Sequence, residues 1–143
     1  MNRTVYGTAG LTLGSLAVIT GAYAILMHSF SLGWGYLLLS AVCGVLITRV
    51  FCSKCPIKGT CVHILPGYIA GVWKEKSGPY TSADILITGL LFAIIILLPQ
   101  VFLISSPGLF ILFWVFIGIA AVCNTRFLCP DCGNLFCPFR RRI

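Results

Sequence analysis

Cysteine is the one chemically versatile residue that this chain concentrates. Of its eight cysteines, six fall in two short segments that share a pattern. The first runs Thr48-Arg49-Val50-Phe51-Cys52-Ser53-Lys54-Cys55 and goes on to Cys61. The second runs Thr125-Arg126-Phe127-Leu128-Cys129-Pro130-Asp131-Cys132 and goes on to Cys137. Two residues between paired cysteines let one turn of chain wrap a metal with both sulfurs while backbone amides point at them. Cys52, Cys55, Cys61, Cys129, Cys132 and Cys137 are therefore candidate thiolate ligands. The pattern signals a metal more strongly than it names one, because zinc and iron both accept four thiolates. An iron-sulfur cluster in each segment would need a ligand beyond the three cysteines. His63 or Cys123 could supply it, or ligands could cross between the segments. If only the Cys-x-x-Cys pairs coordinate, Cys52, Cys55, Cys129 and Cys132 make one four-thiolate site that bridges them.

Other chemistry is sparse. Glu75, Asp84 and Asp131 are the only acidic residues, and His28 and His63 the only histidines, so neither a paired-carboxylate site nor a Ser-His-Asp arrangement can be built. A hydrolase is not expected on these grounds, and any catalysis would be redox chemistry carried by a cofactor. Arg49 and Arg126 stand at equivalent places, three residues before their Cys-x-x-Cys pairs. They read as helix-end cations near headgroups and terminal carbonyls that can also offset the negative charge of a thiolate-bound centre. His63 follows Cys61 closely and is a candidate ligand or a hydrogen-bond partner for a quinone. Cys43, within a run of Leu, Val and Ala, reads as core packing.

The elements that must position these sulfurs are membrane helices. With 59% hydrophobic and 9% charged residues and a mean hydropathy of +1.02, the chain is not an ordinary soluble domain, in which about a quarter of residues are charged. It reads as an all-α membrane protein, a single integral membrane domain over residues 1–143 with four crossings. These are expected at about 6–30, 32–51, 85–104 and 109–127, with metal-binding segments at 48–63 and 123–138. Each run is long enough to cross about 30 Å of hydrocarbon. The first is longer than the core of a signal peptide and reads as a retained helix. Along it Gly10, Gly14, Ala17 and Gly21 recur on a face that suits close helix packing. Trp34 and Tyr36 are expected at headgroup level. The stretch Tyr68 to Lys76 reads as a short interfacial piece between Pro66-Gly67 and Gly78-Pro79. Ser82-Ala83-Asp84 offers a start for the third crossing, and Pro99 a kink within it.

All ten Lys and Arg residues lie in the N-terminal stretch, the central linker and the C-terminal stretch, which four crossings put on one side. The positive-inside rule predicts that side to be cytoplasmic, in the inner (plasma) membrane. Both termini and both cysteine segments would then face the cytoplasm. The net charge of +7 is accounted for by this asymmetry and by anionic headgroups, so nucleic acid is not an expected partner. Cytosolic thiols are kept reduced, which favours metal ligation over structural disulfides. The chain reads as two helical hairpins, each ending in a cysteine knuckle, related by a pseudo-two-fold axis along the membrane normal.

Arg49-Val50-Phe51-Cys52-Ser53-Lys54-Cys55-Pro56-Ile57-Lys58-Gly59 resembles a segment of membrane-bound ferredoxin-type proteins, a group that includes the quinol dehydrogenase subunit of periplasmic nitrate reductase systems. There, four helices carry such a motif after the second and after the fourth. The resemblance implies a 4Fe-4S cluster and electron exchange with a membrane quinone. It departs from that family in having two residues, not three, between the first cysteines, and in lacking a ferredoxin domain. Cys129-Pro130-Asp131-Cys132-Gly133 is similar to a rubredoxin or zinc-ribbon knuckle. The expected function is therefore that of a membrane subunit relaying electrons between a cytoplasmic iron-sulfur or flavin protein and quinone, within a hetero-oligomeric complex. The alternatives are a zinc-stabilised membrane anchor, a soft-metal carrier and a thiol-exchange protein.

Overall fold

A computed structural model describes residues 3–57, 61, 63–73, 77–129, 133, 134, 136 and 137. Cys132, Lys58, the end of the interfacial stretch at 74–76 and the basic tail Arg140 to Arg142 lie outside them. The described chain is helical, and no strand occurs among these residues. In order come α1 (Arg3–Leu26), α2 (Phe30–Ile47), α3 (Ile64–Val72), α4 (Ser82–Leu97), α5 (Gln100–Leu103) and α6 (Pro107–Val122). Four stretches are long and apolar enough to cross a membrane: Thr4–Leu26, Phe30–Cys52, Ser82–Leu103 and Pro107–Leu128. Cysteine segments follow the second and the fourth.

Several hydroxyl and amide side chains on the crossings are absorbed by their own helix. Thr12, Thr20 and Thr125 donate to carbonyls one turn back, on Thr8, Leu16 and Ala121. Gln100 and Asn124 do the same to Ile96 and Ala120. A side-chain donor bound to its own helix carries no unpaired group into hydrocarbon. Large apolar residues such as Ile19, Leu38, Leu86 and Ile111 stand exposed on all four crossings, as a lipid-facing surface requires.

The first hairpin is tighter than the apolar run suggests, and α1 ends at Leu26 instead of continuing to Phe30. His28 and Ser29 both donate their amides to the Ile25 carbonyl, and an extended Ser29 starts α2. Gly33 allows this close turn: a Cβ there would stand 2.3 Å from Leu26 Cγ and 3.1 Å from Leu26 Cα. Tyr36 turns into the bundle instead of facing outward. It is 3% exposed, and its hydroxyl donates to the Ile95 carbonyl at 2.9 Å, joining α2 to α4. A phenol that finds an acceptor inside the bundle gains more there than at the interface.

The start of α4 is a capping box: Asp84 N donates to Thr81 Oγ1 while Thr81 N donates to Asp84 Oδ2. Pro99 interrupts the crossing between α4 and α5 and is itself buried against α1, where a Cβ on Gly21 would meet its ring at 3.0 Å. Of the small residues on α1, Ala17 joins Ala24, Leu103 and Phe113 in the core, and Gly10 faces Asn124. A Cβ added at Gly14 would meet nothing within 4 Å among the described residues.

The helices pair crosswise. Helix α1 packs along α6 and the turn that follows it, while α4 packs on α2 and the turn that follows that. Each odd crossing also opens on a tyrosine stacked against the end of its partner. Tyr6 lies on Phe127 (centroids 4.6 Å apart) and Tyr80 on Phe51 (4.3 Å). The hairpins themselves are unequal: α1 and α2 are packed together, whereas α4 and α6 at most graze each other among the described residues.

Candidate metal centre

Both helices that lead into the cysteines widen before they end. Thr48–Cys52 and Cys123–Leu128 are π-helical turns. In them Ser53 N reaches back to Thr48 O at 2.9 Å and Cys129 N to Asn124 O at 2.8 Å, each across five residues. A π-turn takes one residue more than an α-turn, so the side chains beyond it come round by roughly 100° from where helical periodicity would place them. The Thr-Arg repeat in the sequence marks these turns, although hydropathy does not reveal them.

The first segment is held from three sides. Arg49 lies over the Trp73 ring at 5.1 Å, a cation–π contact that ties α3 to the turn. Ser53, fully buried, donates its hydroxyl to the Arg49 carbonyl. Lys54 Nζ spans both oxygens of Asp84 at 2.8 and 2.7 Å, and Gly78 N donates to the Lys54 carbonyl at 3.3 Å. Asp84 thus caps α4 and clamps the cysteine loop at once. Within that loop Cys55 N donates to Cys52 O at 3.1 Å, and Cys52 lies within electrostatic range of Cys61 and Cys55.

The second segment comes to the same place. Asn134, 2% exposed, donates its side-chain amide to Cys55 Sγ at 3.4 Å and to Tyr80 Oη at 3.0 Å. Its carbonyl oxygen accepts from Phe136 N at 3.0 Å. Gly133 faces Ile57, where an added Cβ would lie 3.5 Å from Ile57 Cγ2. Burial foremost, and then the neighbouring charges of Cys55, Cys137 and Cys52, push the Tyr80 hydroxyl above the ordinary tyrosine range; the bond from Asn134 acts the other way. Tyr80 and Asn134 thus join the first cysteine segment to the second.

The other candidates each have their own surroundings. His63 Nδ1 lies 3.2 Å from the Gly7 carbonyl on α1. It shares a cleft of about 330 Å³ with Gly7, Thr8, Leu11, Thr12, Leu65 and Tyr68. Cys123 is buried at the head of the second π-turn, which packs on α1, and Cys43 is buried within α2. Cys129 is half-buried at the end of that turn, and Arg126 is exposed within it. His28 lies in the opposite turn, 3.1 Å from the Ala24 carbonyl. Among the described residues no three His, Cys, Asp or Glu side chains are gathered tightly enough to hold one ion.

The donor chemistry nevertheless fits a thiolate-held centre. Soft sulfur donors select iron, zinc and copper(I), and a buried amide donating to one of the sulfurs is the kind of outer contact that orients and tunes such ligands. Sequence reasoning missed Asn134, Tyr80 and the Lys54–Asp84 pair. Only the polarity of Asn134, between two cysteines in an otherwise apolar chain, could have pointed to it. Compared with known protein families, curated proteins and solved structures, the chain matches none.

Proposed function

We propose that the chain is the membrane subunit of a redox complex. It binds an iron-sulfur or iron-thiolate centre at the cytoplasmic face of the inner membrane and relays electrons between a cytoplasmic iron-sulfur or flavin protein and quinone. One observation carries this reading: the second cysteine segment meets the first at one end of a helical membrane bundle, where Asn134 donates to Cys55 Sγ at 3.4 Å and to Tyr80 Oη at 3.0 Å. Cys52, Cys55, Cys61, Cys129, Cys132 and Cys137 are the proposed ligands. When bound, such a centre supplies one-electron storage at a potential set by its hydrogen bonds and surroundings. Arg49 and Arg126 add positive charge beside it. The His63 cleft lies beside the first segment and opens along α1, where an imidazole and the Tyr68 phenol can meet a quinone head group. The confinement of every Lys and Arg to one side supports cytoplasmic termini.

The zinc-ribbon likeness of Cys129-Pro130-Asp131-Cys132-Gly133 favours a second reading, a zinc-stabilised membrane anchor. Anaerobic purification with metal analysis and electron paramagnetic resonance separates the two. The redox reading expects iron, acid-labile sulfide and a reducible signal that is lost in Cys52→Ser. Stoichiometric zinc without iron overturns it.

A further inference from the structure

Cys52, Cys55 and Cys61 are not gathered as one ion would hold them, so a bound centre has to draw them together, and three cysteines remain one thiolate short of a four-sulfur set. Of the two further candidates, His63 turns its Nδ1 to the α1 carbonyl of Gly7, which leaves Nε2 as its ligand atom and does not remove it from the set, and Cys123 is buried where the second π-turn packs on α1. The second segment instead comes to Cys55 through Asn134. Both hydrogens of that amide have acceptors, one on Cys55 Sγ and one on Tyr80 Oη. The carbonyl oxygen of the same side chain holds Phe136 N, and Cys137 N closes the turn on Asn134 O at 3.4 Å. The turn that presents Cys137 is thus fastened to the side chain that touches Cys55. Tyr80, which accepts from the same amide, is stacked on Phe51, the residue before Cys52.

We infer that the centre held by Cys52, Cys55 and Cys61 takes its fourth thiolate from Cys137, so that both halves of the chain build one site, with Asn134 as the positioning residue that joins them. This rests on reading the cysteines as metal ligands. A buried amide in this position does two things. It fixes the Cys137 turn against the first segment, and it donates to a ligand sulfur. Donation stabilises the more negative, reduced state of an iron centre and raises its potential. The site would take a thiolate-seeking metal centre with four cysteine ligands, and metal loading would lock the two ends of the chain together.

The test uses the full chain, purified anaerobically. Serine at Cys137 is expected to remove the same metal equivalents and the same spectral signal as serine at Cys52. A Cys137→Ser protein that keeps wild-type metal and spectrum, while Cys132→Ser or Cys129→Ser loses them, overturns the assignment. Asn134→Leu is expected to lower the midpoint potential of the centre it retains, and an unchanged potential overturns the positioning role. A metal-independent measurement covers variants that fail to assemble. With Cys52, Cys61, Cys129 and Cys132 changed to Ser, a short bifunctional thiol reagent should join Cys55 to Cys137, as read by mass spectrometry of the linked peptides. Failure to link them overturns the juxtaposition. Wild-type protein without metal that still cross-links would sink the redox reading and leave the pairing standing. Iron-loaded protein indifferent to Cys137→Ser would do the reverse.

Discussion

Lys54 ties the cysteine loop to the start of α4. Its ammonium spans both oxygens of Asp84, and the two side chains are 27% and 12% exposed, so water screens the pair only in part. Asp84 has a second duty as the capping partner of Thr81, which fixes its carboxylate before Lys54 arrives. A preset acceptor lowers the entropy cost of the ion pair. Lys54→Met is expected to cost about 1–3 kcal/mol, the range for a hydrogen-bonded charge removed from a partly buried partner. Thermal unfolding in detergent would show a lower midpoint, and metal retention should fall with it because Lys54 lies between Cys52 and Cys55. Little of this was legible in the sequence. Lys54 and Asp84 were two of a handful of charges, and nothing in their spacing pairs them. Tyr36 is a similar case, since an aromatic near the start of a crossing can face headgroups or turn inward to a free carbonyl. The neighbouring α4 decides which.

Each helix was largely legible as a length of apolar chain, and its ends much less so. The break at Pro99 and the start of α4 follow from local rules, because proline removes a helix donor and the Thr81–Asp84 pair satisfies two exposed amides. The early end of α1 does not follow from such rules. It depends on Gly33 of the next helix accepting Leu26 against its backbone. Gly33→Val should therefore force the first hairpin apart, at about 1–3 kcal/mol for overpacking. The check is a lowered unfolding midpoint in detergent, with the wild-type value arguing that the hairpin turn is looser than described. The two π-turns were not legible in the hydropathy either. They keep the apolar composition of an α-helix while changing which way the cysteines after them point.

At the scale of the molecule, the crosswise pairing of α1 with α6 and of α4 with α2 brings the ends of both even crossings to one surface. The matching Tyr6–Phe127 and Tyr80–Phe51 stacks fasten each pair at that end. Orientation is a property of the whole chain, since it depends on how charge is divided between the two sides. A reporter that is active only in the cytoplasm, fused after Ile143, is expected to be active, and one that needs export is expected to be silent. The opposite result would reverse the topology and take the cysteines out of the reducing compartment. By itself the sequence determined that there are four apolar crossings, that sulfurs follow the second and the fourth, and that positive charge is confined to one side. Those are facts of composition and run length, and hydrocarbon thickness converts them directly into structure. The tertiary structure alone decided which helix lies beside which, and hence that Asn134 meets Cys55 and Tyr80. In lipid every face of a helix is apolar, so no hydrophobic stripe announces its neighbour, and partners are chosen by small residues, stacked rings and a few buried hydrogen bonds.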